Sequence, residues 1–201
     1  MIVFGLVLPR VSAANIVLNP GFETGDLTSW VSNPRPGSHW GVFPSDPPPH
    51  SGTYSAQTGC VGAPCMTPDD SSLAPVGSWL FQDLPTAPGT FYNLSFWYTP
   101  GPGTVTGTEQ KELQVLWNGA PVYTNTDSSN TNTYTQITLQ NLPGSLTSAT
   151  TRLEFLGRQD PDFDGVDDVS VEATNVPEPG TLALFAVGLS GLWRGRRRIA
   201  V

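Results

Sequence analysis

Apolar residues in this chain recur at every second position, in short runs, and hardly anywhere at helical spacing. Tyr92, Leu94, Phe96 and Tyr98 alternate with polar or bulky neighbours. Leu113, Val115 and Trp117 do the same, as do Ile137 with Leu139, Leu153 with Phe155, and Val169 with Val171. A period of two places one face of a strand on a core and the other toward water. Twenty prolines and 21 glycines punctuate these runs and leave little room for helices. Further strands are expected at 15–18, 41–43, 54–57, 79–82 and 122–123. About eight to ten short strands in one domain make a sandwich or a barrel. Asn118-Gly119 predicts a tight hairpin. The proline-rich stretch 32–49 and the Thr/Asn/Ser run 124–135 read as long surface loops within that one domain.

Both ends depart from this pattern. Residues 2–8 form a short apolar run, and Val11-Ser12-Ala13-Ala14 offers small residues for signal peptidase. Residues 1–14 therefore read as a signal peptide, shortened at its start because no basic region precedes the apolar run. At the other end, Val176-Pro177-Glu178-Pro179-Gly180 precedes an apolar segment, 182–193, and then Arg194, Arg196, Arg197 and Arg198. That segment is well short of the ~20 residues a free-standing spanning helix needs. Arginines beside it favour the cytoplasmic side. The tail, 175–201, reads as an address carrying a short transmembrane helix rather than as part of the fold. The body is 15–174.

The span from Glu23 to Glu178 holds all 17 acidic residues. Its only bases are Arg35, Lys111, Arg152 and Arg158, so it is near −13. Phosphate backbones need clustered lysine and arginine, so nucleic acid is not an expected partner. Cys60 and Cys65 are the two cysteines, and in an exported chain a short disulfide loop is expected. No Gly-x-Ser-x-Gly elbow, His-Glu-x-x-His pair or phosphate-cradling loop is present, and no catalytic residue is assigned.

The tail closely resembles the PEP-CTERM sorting signal of Gram-negative bacteria, also described as an "ice-binding protein C-terminal" domain. In the motif, Pro177, Glu178, Pro179 and the four arginines correspond in order and spacing. The resemblance implies an exosortase and the secretion machinery as partners. It also implies passage through the inner membrane, with the cell surface or extracellular matrix as destination. The body has a second resemblance. Asn19-Pro-Gly21-Phe-Glu23 through Trp30, His50-Ser-Gly52-Thr-Tyr54, Leu80-Phe-Gln82 and Val166-Asp167-Asp168-Val169 follow the order seen in galactose-binding-like jelly rolls, including carbohydrate-binding modules. This implies a single β-sandwich of jelly-roll type and a non-enzymatic protein associated with exopolysaccharide or biofilm. The alternatives are a purely structural secreted protein and a secreted hydrolase.

By the same resemblance a structural calcium ion would be held by the Gly21 carbonyl, Glu23, the Thr53 carbonyl and Asp167. Calcium prefers such oxygen donors. The alternation places Asp167 on the core side with Val169 and Val171, where a carboxylate needs a partner. Asp160-Pro-Asp162-Phe-Asp164-Gly165 is a second, EF-hand-like acidic turn. Trp40 and Trp97 are the expected sugar platform, whereas Trp30 and Trp117 read as core.

Overall fold

The computed structural model describes residues 13–33, 38–60, 78–102, 111–126, 132–159 and 162–174. Residues 14–173 form one compact unit. Its ten strands are β1 (Val31–Asn33), β2 (Ser38–Phe43), β3 (Ser55–Cys60), β4 (Ser78–Pro85), β5 (Phe91–Thr99), β6 (Lys111–Trp117), β7 (Ala120–Asn125), β8 (Thr135–Pro143), β9 (Thr150–Gln159) and β10 (Phe163–Ala173). They build two five-stranded sheets, β1-β4-β9-β6-β7 and β2-β3-β10-β5-β8. Neighbouring strands within each sheet pair antiparallel. The molecule is an all-β sandwich of jelly-roll type. Residues 1–12 of the expected signal segment, and the whole tail 175–201 with its expected helix, lie outside the described residues.

Alternation places the core where the sequence puts it. Tyr92, Leu94, Phe96 and Tyr98 are buried on one face of β5, and Leu113, Val115 and Trp117 on one face of β6. Phe155 lies at the centre, with the rings of Phe96, Trp30 and Trp40 at 5.3, 6.1 and 6.4 Å. Fully burying one such side chain is worth about 1.5–3 kcal/mol. Asn118 and Gly119 both take positive φ, 53° and 79°, as a tight β6–β7 hairpin requires.

Three expectations change. Residues 15–18 form no strand: beyond one backbone bond, Ile16 N–H to the Val171 carbonyl, side chains take their hydrogen bonds. Leu18 N–H donates to Gln82 Oε1, and Gln82 Nε2 donates to the Leu18 carbonyl. Asn15 Oδ1 accepts from Val171 N–H. Asp167 does not face the core between the sheets. Its Cα partner on β5 is Trp97, which points outward, while Val166 pairs with core-facing Tyr98. A bulge between Asp167 and Ser170, with Asp168 at φ 47°, then shifts the alternation by one residue. Finally, Asp164 belongs to β10 rather than to a solvated turn.

Candidate functional site

The outward face of the β1-β4-β9-β6-β7 sheet is built from alternate residues of its inner strands. On β4 these are Trp79, Phe81 and Asp83; on β9, Arg152, Glu154 and Leu156; on β6, Glu112, Gln114 and Leu116. Register sets them in rows across the sheet. Trp79 pairs with Leu156, which pairs with Gln114. Phe81 pairs with Glu154, which pairs with Leu116. Asp83 pairs with Arg152, and Glu112 with Arg158.

Trp79 and Phe81 are half-buried, with ring centroids 5.5 Å apart and planes 23° from parallel. The Arg152 guanidinium carbon sits 3.8 Å over the Phe81 ring. Asp83 holds that guanidinium by two bonds, Nε–H to Oδ1 at 2.8 Å and a terminal N–H to Oδ2 at 2.9 Å. Accepting these bonds keeps the Asp83 carboxyl below its usual range. Desolvation raises Glu154 and Glu112 above theirs, partly opposed by Arg152 and Arg158 respectively. The result is an aromatic pair braced by a cation, beside carboxylate acceptors. Such a surface can stack on a sugar ring and receive hydroxyl hydrogen bonds.

The other outward face, on the β2-β3-β10-β5-β8 sheet, is covered. Gln57 Nε2 donates to the carbonyls of Ser45 and Pro47 and so draws residues 44–50 across β3. His50 then stacks on Trp97, with centroids 3.7 Å apart and planes 14° from parallel. Its Nδ1 lies 2.7 Å from Asp168 Oδ2, and Ser51 Oγ donates to Asp168 Oδ1 at 2.8 Å. Tyr134 closes the other side, its ring edge-on to His50 at 5.5 Å. Desolvation, reinforced by the Asp167 and Asp168 charges, pushes the Tyr134 hydroxyl up to about 12. One half of the expected platform is therefore occupied by the chain itself. The other half, Trp40, is 4 % exposed, and its Nε1–H donates to the Ser78 carbonyl. Trp40 is core, because β2 turns it inward toward Phe155. Trp79 and Phe81 were missed because apolar Leu80 between them makes β4 read as a continuous buried run.

The expected calcium residues do come together. Glu23 accepts from Thr53 N–H through both carboxylate oxygens and from Tyr54 N–H. Asp167 Oδ2 accepts from His50 N–H and Ser51 N–H, and its Oδ1 from Asp168 N–H. A Cβ on Gly21 would lie 3.6 Å from Asp167 Oδ1 and 3.8 Å from Glu23 Cγ. Burial, reinforced by the Asp168 charge and opposed by the backbone bonds, pushes Asp167 up to about 6. Residues 50–54 thus join two carboxylates far apart in sequence. Both carboxylates are turned onto N–H donors. No group of three or more acidic, histidine or cysteine side chains among the described residues is arranged for a metal. The expected set fits calcium by donor chemistry, since half of it is carbonyl oxygen.

Asp164 does not share a ligand-bearing turn with Asp162. It is fully buried and accepts from Gly101 N–H, Tyr98 O–H and Gln159 Nε2. Burial, opposed by those bonds, pushes it up to about 7. Asp160 lies outside the described residues. So do Cys65 and the Cys60 side chain, and with them the expected disulfide. The sorting residues Pro177, Glu178, Pro179, Arg194, Arg196, Arg197 and Arg198 are likewise outside them.

Residues 175–198 match the model of the PEP-CTERM protein-sorting motif. The match is to that motif and supports no specific ice-binding type. No curated protein matches the chain. Among solved structures, TmCBM61 in complex with beta-1,4-galactotriose is 16 % identical. That match covers 81 % of this chain and 100 % of the other, with a TM-score of 0.53. The K1 cleaved adhesin domain of Lys-gingipain from Porphyromonas gingivalis W83 is 16 % identical over 77 % of this chain and 96 % of that one, with a TM-score of 0.52. The arabinose-bound MgGH51 α-L-arabinofuranosidase reaches a TM-score of 0.55 at 14 % identity, over 81 % of this chain but only 27 % of the enzyme. At such identities the likeness is one of fold. The chain is thus a jelly-roll sandwich similar in fold to carbohydrate-binding modules, followed by a tail that matches the PEP-CTERM sorting motif.

Proposed function

We propose that this is an exported, non-enzymatic surface or matrix protein that contacts polysaccharide through the outward face of its β1-β4-β9-β6-β7 sheet. One observation carries the reading: Trp79 and Phe81 lie half-exposed and braced by Arg152 on a face that the described loops of the chain do not cover. An aromatic pair held in place loses little entropy on stacking against a sugar. Likeness in fold to modules such as the galactotriose-bound one is compatible with this, and the sorting motif supports delivery to the cell surface by an exosortase-type system. Residues 1–14 would be removed on export, 15–174 would be the working body, and 175–201 would engage the membrane before processing. A glycan panel titrated against the full chain and against Trp79→Ala tests the reading. Binding that the substitution abolishes supports it, and binding that ignores the substitution refutes it.

A structural calcium ion is proposed at Glu23, Asp167 and the carbonyls of Gly21 and Thr53. It would replace N–H caps by ion contacts and tie residues 21–23 to β10. A ligand that binds only the native state stabilises it by about 2.7 kcal/mol at a hundredfold excess over its dissociation constant. Thermal unfolding with calcium and with chelator should separate by several degrees for the parent and not for Glu23→Gln. Equal melting temperatures for the parent in both conditions would remove the ion from the account.

A further inference from the structure

The glycan reading leaves open what kind of polymer the face accepts, and the charges on that face bear on this. Three carboxylates, Asp83, Glu112 and Glu154, stand on it against the guanidiniums of Arg152 and Arg158. Arg152, its side chain 42 % exposed, has its charge neutralised by Asp83, and Arg158 is buried. Arg152 spends its fork on Asp83 and its flat face on Phe81. Arg158 is 4 % exposed and lies in register with Glu112. Beside the aromatic pair stand Glu154, set between Phe81 and Leu116 in its row, and the amide oxygen of Gln114, set beyond Leu156 from Trp79, whose Nε2 donates to Thr124 Oγ1. An ionised carboxylate between two apolar side chains accepts hydrogen bonds and cannot donate them.

We propose that this face selects uncharged, hydroxyl-rich glycans and rejects acidic ones; the proposal rests on reading the face as the glycan site. A sugar ring lying on Trp79 and Phe81 would bring its hydroxyls to Glu154 and Gln114, and each hydroxyl donated to the carboxylate is a charge-assisted bond. A uronate at the same place would bring a second carboxylate beside Glu154, where the exposed cation among the described residues of the face, Arg152, is already neutralised by Asp83. Like charges held together out of water are unfavourable, and the span around them is itself near −13, which repels a polyanion before contact. Desolvation has already raised Glu154 and Glu112, so neither tolerates another anion well. No acid–base step is implied, since the carboxylates act as acceptors.

The experiment titrates the full chain with neutral polysaccharides (galactan, xylan, glucan) and carboxylated ones (polygalacturonate, alginate) at low and high salt. Parent, Trp79→Ala and Glu154→Gln are compared. The expected result is binding to at least one neutral polymer that Trp79→Ala lowers tenfold or more. Acidic polymers should bind at least tenfold more weakly, a gap that narrows at high salt because exposed charges are screened. Glu154→Gln keeps an acceptor oxygen and should narrow the gap further. Tight binding of an acidic polymer that Trp79→Ala abolishes would overturn the selectivity while leaving the face as the site. Binding untouched by Trp79→Ala, or no binding to any polymer, would remove the site and the selectivity with it.

Discussion

Trp79 and Trp97 occupy equivalent places, each pointing outward from a strand inside its sheet, each half-buried. Their neighbours make them different. Trp97 is roofed by His50, which residues 44–54 carry across the β2-β3-β10-β5-β8 sheet and pin to Asp167, Asp168 and Glu23. Trp79 has Phe81 beside it and Arg152 beyond, and no described loop over it. One aromatic is therefore a structural contact and the other the proposed platform, although both sit in the same alternating pattern. A chain can close one outward face with its own backbone and leave the opposite face for a partner. Which tryptophan has which task is decided by a connection, not by the strand.

The largest expected effect is on the closed side. Gly52 has φ +65°, and a Cβ there would lie 2.3 Å from Glu23 Oε1. Gly52→Ala would strain the backbone and push away the carboxylate that caps Thr53 and Tyr54 N–H. A loss of about 2–4 kcal/mol is expected, with a melting temperature lower by roughly 5–15 °C. Gly119→Ala is the control, since its φ is equally positive but its Cβ meets nothing within 4 Å. It should cost only about 1 kcal/mol. Equal losses in the two variants would mean that the Glu23 contact holds little.

A middle effect is expected inside β10. An unfolded aspartate loses its proton near 3.8, whereas native Asp164 keeps it up to about 7. The native state then binds more protons than the unfolded one between those values, so stability falls as pH rises through that window. It is complete below 3.8 and flat above about 7. Asp164→Asn can still accept from Gly101 N–H and can donate to the Tyr98 oxygen. It should flatten this slope and raise stability at pH 8 by at least about 1 kcal/mol. An unchanged slope in denaturant melts from pH 4 to pH 8 would show that Asp164 is not its source. The smallest effect belongs to the open side. Asp83→Asn breaks an exposed pair and should cost about 0.2–1 kcal/mol of stability. It should nevertheless weaken glycan binding several-fold, because Arg152 would no longer be held over Phe81. Glycan affinity equal to the parent's would make that bracing irrelevant.

The architecture was largely legible in the sequence, because period-two runs such as 92–98 and 113–117 report which face is buried. Asn118-Gly119 was legible for a local reason, a turn that needs two positive φ values. What escaped depends on contacts between distant residues. Residues 15–18 carry strand composition, but Gln82 and Asn15 supply their hydrogen bonds. Asp167 was set on the wrong side because a bulge resets the alternation just after it. Its convergence with Glu23 at residues 50–54 was expected only through resemblance, since no spacing rule joins positions so far apart. Trp40 and Trp97 are the platform expected from sequence, yet one is turned into the core by β2 and the other is covered by a loop whose path no local pattern specifies. Trp79 is not legible as exposed, because Leu80 beside it masks the alternation.

The contrast between the two tryptophans is tested most directly by making Trp79→Ala and Trp97→Ala in the full chain. Each is then measured for melting temperature and for affinity to the tightest neutral glycan. Aromatic pairs such as Trp79 with Phe81 are worth about 0.5–1.5 kcal/mol beyond area burial. Trp79→Ala should lower affinity tenfold or more while moving the melting temperature by only a few degrees. Trp97→Ala should lower the melting temperature clearly and leave affinity within about twofold, since it removes the seat of His50 and not the platform. Loss of affinity in Trp97→Ala with none in Trp79→Ala would contradict the account and place the binding face on the other sheet.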